Sequence, residues 1–249
     1  MKAMILAAGL GTRLRPLTND RPKPLVEVAG HTLLEITLSR LRSCGVHEVI
    51  VNLHHFADRV TDYLKRNGSF GMRIEISHED VLLDTGGGLK KAAFFFLEDS
   101  RHAEEPFLLH NVDVISTIDF ERMVRFHREQ KTLATLAVQG RETSRYLLFD
   151  ELGQLCGRRA GRNQPPQMAR PSQQARALAF SGIHLISPRI FSLMTEEGPF
   201  SIVDCYLRLA AQGEKILAFR ADKYYWRDLG TPENVTQASD DVKRQLVQL

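Results

Sequence analysis

A short apolar run, Met4–Ala7, opens directly into a loop with glycines at 9 and 11, and two cations follow it, Arg13 and Lys23. Glycine lets backbone N–H groups approach a phosphate with no Cβ in the way. An arginine then offers a planar, fixed cation and a lysine a mobile one to the same anion. The segment from Ile5 to Pro24 therefore points to a nucleoside triphosphate. Two common phosphate loops do not fit it. A P-loop closes on Lys-Ser or Lys-Thr, and neither follows these glycines. The dinucleotide fingerprint needs a third glycine where Leu14 stands.

The rest of the chain sets that loop in an α/β frame. Strand-like runs lie at Ala3–Ala7, Glu48–Leu53, Arg73–Ser77, Pro106–Asn111, Thr132–Val138, Ala177–Ile186 and Lys215–Ala218. Helical stripes separate several of them. Leu34, Leu38 and Leu41 share a face before Gly45. Phe56, Val60 and Leu64 form a second stripe, Leu89–Leu97 a third, and Phe120, Met123, Val124 and His127 a fourth. Strands alternating with helices predict βαβ units and a mostly parallel mixed sheet flanked by helices. After residue 138 the pattern changes to a hairpin, Tyr146–Asp150 and Gln154–Gly157. Residues 158–176 hold five arginines, three prolines and four glutamines, which reads as a surface loop. Pro232–Leu249 reads as a helix with proline in its first turn. Phe94, Phe95 and Phe96 read as helix core.

With 249 residues, one large domain is expected, residues 1–138 handling nucleotide and 139–249 a second substrate. A net charge of +3 suits anionic substrates, but the basic residues are scattered, so nucleic acid is not expected. No apolar run approaches the ~20 residues of a membrane span, and no leader is expected. Cys44, Cys156 and Cys205 are dispersed and odd in number, which predicts free thiols and the cytoplasm. No histidine pair has metal-ligand spacing.

Several blocks together carry a resemblance: Ala7-Ala8-Gly9-x-Gly11-Thr12-Arg13-Leu14-x-Pro16-Leu17-Thr18, Pro22-Lys23-Pro24, Val28-Ala29-Gly30, Thr85-Gly86-Gly87-Gly88, Asn111-x-Asp113, Phe180-Ser181-Gly182-Ile183 and Trp226-x-Asp228-x-Gly230-Thr231. In this order, across nearly the whole chain, they resemble the signature of sugar-1-phosphate nucleotidyltransferases, also called NDP-sugar pyrophosphorylases. The short length and the triple glycine resemble the short bacterial members of the N-acetylmuramate-1-phosphate uridylyltransferase type. The resemblance implies a Rossmann-like nucleotide-diphospho-sugar transferase fold. It also implies in-line attack of a sugar-1-phosphate on the α-phosphorus of an NTP, with Mg2+ and release of pyrophosphate.

Under that resemblance Arg13, Lys23 and Asp113 are the expected catalytic residues. Arg13 is assigned to the β/γ-phosphates, and Lys23 to the α-phosphate and the incoming sugar phosphate. Ala8, Gly9, Gly11, Thr12, Glu79, Gly87, Gly88 and Asn111 are expected to join them around the nucleotide. Three glycines weaken a helix start, so close ligand approach is expected there. Asp113 and Asp228 are the expected metal ligands. Arg145, Ser181, Gly182 and Asp204 are the candidates for the sugar phosphate, while Asp84 and Asp119 read as helix caps. UTP is the first choice of nucleotide, and guanylyl transfer to mannose- or heptose-1-phosphate is the nearest alternative. Cytidylyl transfer and a non-catalytic nucleotide-sugar-binding homologue follow. A monomer or small homo-oligomer is expected.

Two departures from the family pattern stand out. The Glu-Lys-Pro often carried by the family's glucose and thymidylyl members is missing from the comparable region, Cys156-Gly157-Arg158-Arg159-Ala160-Gly161-Arg162, and the small residue usual before the metal-binding aspartate is replaced by Val112. Valine disfavours left-handed backbone, so the strand is expected to absorb it while leaving Asp113 available.

Overall fold

The computed structural model describes residues 1–98 and 104–249. In chain order the elements are β1 (Lys2–Leu6), β2 (Glu27–Val28), β3 (His31–Thr32), α1 (Leu33–Ser43), β4 (Glu48–Leu53), α2 (Ala57–Arg66), β5 (Arg73–His78), α3 (Asp84–Lys91) and α4 (Ala93–Leu97). There follow β6 (Phe107–Asn111), β7 (Val114–Ser116), α5 (Phe120–Gln130), β8 (Ala134–Gln139), β9 (Arg145–Phe149), β10 (Leu155–Ala160), β11 (Gln167–Met168) and β12 (Arg176–Ile186). The chain closes with α6 (Ile190–Leu193), α7 (Ile202–Ala211), β13 (Ile216–Arg220), β14 (Trp226–Asp228) and α8 (Pro232–Lys243).

The main sheet runs β11-β10-β9-β12-β6-β1-β4-β5, with β8 and β13 branching from β12. Strands β5, β4, β1 and β6 are parallel, the expected Rossmann-like α/β arrangement. Strand β12 turns the sheet mixed: it pairs antiparallel with β6, β8 and β9. The central strand is apolar because it is covered on both faces. Ala3 and Ile5 enter one core cluster and Met4 the other, as the two-residue strand period requires.

The helices begin where the sequence offers a cap. Thr32 accepts a hydrogen bond from the Glu35 N–H at 3.1 Å and starts α1, whose Leu34, Leu38 and Leu41 are fully buried. Asp119 accepts from Arg122 N–H at 2.9 Å and starts α5. Thr231 caps α8, with Pro232 in the first turn. Among the described residues no helix is long and apolar enough to cross a membrane.

Four local expectations change. The glycine run does not precede a helix; it lies inside α3, which starts at Asp84. Residues 158–160 extend β10, and 167–168 form β11 against it, because edge pairing uses backbone groups and needs no apolar side chains. Phe95 and Phe96 are core, but Phe94 is exposed on the outer side of α4. Helix α8 stops at Lys243, short of the chain end.

Candidate active site

Parallel strands leave their carboxyl ends on one edge, and the site is built there. The edge is tied together by a buried polar chain. The Ala7 N–H donates to Asn52 Oδ1 at 2.7 Å, Asn52 Nδ2 donates to Glu79 Oε1 at 2.8 Å, and Leu83 N–H donates to Glu79 Oε2 at 3.0 Å. Ends of β1, β4 and the segment after β5 are thereby locked in place. Glu79 is 1% exposed with both carboxylate oxygens engaged. It braces one wall of the cleft, and its oxygens are already committed to protein donors. Asn52 was not among the expected residues. Its signal was a polar side chain set between the apolar run Val49-Ile50-Val51 and Leu53 in the interior of a strand.

A cleft of about 390 Å³ at this edge brings together six expected residues: Ala8, Gly9, Lys23, Glu79, Asn111 and Asp113. Beside it, Gly11 takes a left-handed φ of 66° and starts the 3-10 turn Thr12–Leu14. That conformation, and Thr18 and Lys23 packed close to it, leave no room for a side chain. Among the described residues nothing accepts from the N–H groups of Gly9, Gly11 and Thr12. They form a cradle of free donors at a turn start, which is what a phosphate takes.

The triple glycine serves two purposes. A Cβ at Gly86 would overlap the Phe200 ring, and one at Gly87 would lie 2.6 Å from the Gly198 carbonyl. These two let α3 press against residues 198–200. Only the Gly88 position faces the cleft side, 2.7 Å from Glu79 Oε1 and 2.8 Å from Asn52 Nδ2. Asp84, read as a cap, sits within α3 at its first position, and Leu83 is the cap residue.

The charged centre comes from three separate parts of the chain. Lys23, in a 3-10 turn, places Nζ 2.5 Å from Asp113 Oδ2. Asp113 leads into β7, which pairs with β14 so that Asp228 faces Val114. The Leu229 N–H donates to the Asp113 carbonyl at 2.7 Å, fastening the two strand ends. Asp228 Oδ1 accepts from the Gly230 N–H at 2.7 Å, so the aspartate shapes its own turn as well. A Cβ at Gly230 would lie 2.7 Å from Asp228 Oδ1 and 2.8 Å from Arg13 Nη2. Glycine there lets Arg13 come up beside Asp228. Arg13 makes no ion pair with a described residue, so its charge is available to a ligand. Val112 is not absorbed by a strand: it lies in the turn between β6 and β7, where its side chain is 1% exposed in the core and its N–H donates to the Leu6 carbonyl at 3.1 Å.

Among the described residues no cluster of three or more His, Cys, Asp or Glu is set to hold a metal by itself. Two carboxylates on joined strand ends, Asp113 and Asp228, are a donor set that suits magnesium, which takes its remaining ligands from phosphate oxygens and water. Burial lowers the pKa of His110, just before Asn111, to about 4, so it is neutral near pH 7 and is no cationic ligand for phosphate.

The sugar-side candidates divide. A bulge in β12 between Phe180 and His184 lifts Ser181 and Gly182 out of the ladder. The Ser181 carbonyl accepts from Trp226 Nε1 at 2.7 Å, and a Cβ at Gly182, whose φ is 71°, would lie 2.8 Å from the Asn111 amide nitrogen. These two adjoin the cleft next to Asn111 without lining it. Asp204 instead lies in the first turn of α7, paired with Arg158 at 2.5 Å, and Arg145 is exposed at the start of β9. Neither lines the cleft.

Comparison with known proteins shows the family of this chain. A family model described as nucleotidyl transferase matches residues 2–245. The N-acetylmuramate alpha-1-phosphate uridylyltransferase of Caulobacter vibrioides is 35% identical over 240 residues, covering 93% of this chain and 92% of that protein. The mannose-1-phosphate guanyltransferase beta-B of Xenopus laevis is 33% identical over 94% of this chain, which spans 62% of that longer protein. Among solved structures, a putative glucose-1-phosphate thymidylyltransferase from Bacillus anthracis superposes with a TM-score of 0.79 at 19% identity, covering 100% of this chain and 97% of that one. HddC from Yersinia pseudotuberculosis, solved with GMP-PN, gives 0.74 at 24% identity and covers 97% and 99%. A family match over residues 2–245, with the Caulobacter relative covered almost end to end, shows that the chain belongs to the nucleotidyl transferase family.

Proposed function

We propose that the protein joins a nucleoside triphosphate to a sugar-1-phosphate, releasing pyrophosphate, with UTP as the nucleotide. The observation that carries this reading is the Lys23–Asp113 pair on the floor of the cleft, with Asp228 fastened alongside. UTP rests on the Caulobacter relative. Guanylyl transfer is the second reading, and the Xenopus relative favours it.

The chemistry asks for charge management and alignment more than for proton transfer. A phosphate monoester has a second pKa of ~6 and attacks as a dianion near neutral pH. No general base is needed, which agrees with a neutral His110. The N–H groups of Gly9, Gly11 and Thr12 and the Arg13 guanidinium hold the triphosphate tail. Lys23 offers charge where the α-phosphate and the incoming phosphate meet. Asp113 and Asp228 would hold magnesium, which supplies neutralisation of the phosphate oxygens when bound. Residues 1–138 act as the nucleotide part and 139–249 as the sugar-phosphate part. The three free cysteines fit a reducing cytoplasm.

The test is pyrophosphate release with magnesium over four NTPs and a panel of sugar-1-phosphates. Release confined to UTP names the base and its partner sugar together. Silence across the grid from folded protein that still binds nucleotide would overturn the catalytic reading in favour of a binding homologue.

A further inference from the structure

Arg141 lies between β8 and β9, outside every block that carries the resemblance. Its guanidinium stacks on the Trp226 indole, Cζ 3.7 Å from the ring centroid. Nη2 donates to the Phe180 carbonyl at 2.8 Å, while Nε is buried and has no partner among the described residues. No described carboxylate pairs with it, and burial lowers its pKa while Asp228 and then Tyr146 work against that. A half-buried cation with an unused donor and no carboxylate in contact is a costly arrangement unless an anion arrives.

Its surroundings specify which anion. Trp226 and Asp228 are two residues apart on β14 and so share a face. The Phe180 carbonyl that holds Arg141 and the Ser181 carbonyl that holds Trp226 lie at the β12 bulge, and a Cβ at Gly182 of that bulge would meet the Asn111 amide. Arg141 therefore stands on the sugar side of the site, near Asp228, whereas Arg13 and Lys23 come from the amino-terminal loop. Two polyanions have to meet here, and the two sets of cations approach from different parts of the chain.

We infer that Arg141, held rigid on Trp226, binds the phosphate group of the sugar-1-phosphate and aligns it for attack. This rests on the function proposed above. A planar guanidinium held by stacking loses little freedom on binding, and it fixes the orientation of a phosphate better than a mobile lysine does.

Trp226 is the only tryptophan of the chain, so its emission reports on this contact without any turnover. The experiment titrates Trp226 fluorescence with glucose-1-phosphate, mannose-1-phosphate, N-acetylmuramate-1-phosphate and inorganic phosphate, for wild type, Arg141→Gln and Arg141→Lys. KM for UTP and for the acceptor, and a thermal melt, are measured on the same proteins. Wild type is expected to give a saturable change. Arg141→Gln should weaken half-saturation and raise acceptor KM by roughly ten- to a hundredfold, the range of a lost charged hydrogen bond. KM for UTP and the melt should stay unchanged, and Arg141→Lys should fall between. No saturable response in wild type, or an unchanged one in Arg141→Gln, would overturn the assignment. Equal weakening of UTP and acceptor with a lowered melt would make Arg141 a brace of the fold and would overturn it too. A saturable, Arg141-dependent response without pyrophosphate release would leave the phosphate site standing and remove the proposed activity.

Discussion

Lys23 Nζ lies 2.5 Å from Asp113 Oδ2, and the two side chains are only 15% and 10% exposed. Ninety residues of sequence separate them. The pair sits in the cleft at the edge where β1, β4 and β6 end, so the lysine occupies the carboxylate that the proposed metal would use. Lysine and metal are thus competitors for one anion until phosphate gives the lysine another.

Removing either partner is expected to lower turnover at least a hundredfold, the scale of losing one stabiliser of transition-state charge. The two variants should differ toward magnesium. In Lys23→Ala the Asp113 carboxylate loses its counter-ion, so magnesium alone should raise the melting temperature more than it does in wild type. In Asp113→Asn that rise should vanish. Melting curves with and without magnesium separate the two, and wild-type turnover in both variants would remove the pair from the site.

Alanine at position 86 should destabilise the protein even though alanine is the better helix former by ~1 kcal/mol. Its Cβ would overlap the Phe200 ring, and such overpacking costs about 1–3 kcal/mol. Urea unfolding would show a lowered midpoint for Gly86→Ala. Gly88→Ala should act differently, raising KM for the nucleotide, because its Cβ meets Glu79 and Asn52.

Acid should unfold the protein through three histidines. Burial lowers His110 and His127 to about 4 and His184 to about 3. A folded-state value below the ordinary 6.5 means that the unfolded chain binds the proton first. Their contribution is therefore complete above pH 6.5 and is lost as pH falls toward 4 and then 3. Each can cost ~1.4 kcal/mol per pH unit in that window. Urea midpoints should fall steeply from pH 6.5 to 4.5. A flat profile would mean that these rings are not held neutral.

One thiol should react in the native protein. Cys156 and Cys205 are buried, and burial pushes Cys205 up to about 12, while Cys44 is half-buried. Labelling with a thiol reagent at pH 8 should modify Cys44 alone, and all three cysteines in denaturant. Rapid native labelling of Cys205 would contradict the packing of α7.

Much of the architecture was readable along the chain because its signals are local. Apolar runs marked β1, β4, β6 and β12, Asp119 marked a helix start, and the glycines of residues 9–11 marked a phosphate loop, while the Thr32 cap of α1 was found only in the structure. Arg13, Lys23 and Asp113 stood out for the same reason, being charges set beside glycines or at the end of an apolar strand. The two-stranded pairing of β7 with β14 was not readable. Three residues on each side give no periodicity, yet this pairing brings Asp228 to Asp113. The glycine run misled because helix packing and ligand approach both demand a missing Cβ, and only the position of Phe200 distinguishes them. Asp204 and Arg145 looked like sugar-side candidates because the local sequence does not say where the first turn of α7 lies relative to the cleft, or that Arg145 at the start of β9 is left exposed.

The sequence by itself determined the parallel α/β frame and the amino-terminal phosphate loop, because strand period, caps and glycines act over a few residues. Only the tertiary structure decided which distant charges meet. The Lys23–Asp113 contact, the brace of Asn52 and Glu79, and the stacking of Arg141 on Trp226 each join segments that are far apart in sequence. What selects such pairs is burial: a charge or amide taken out of water must find its partner wherever the fold has brought one.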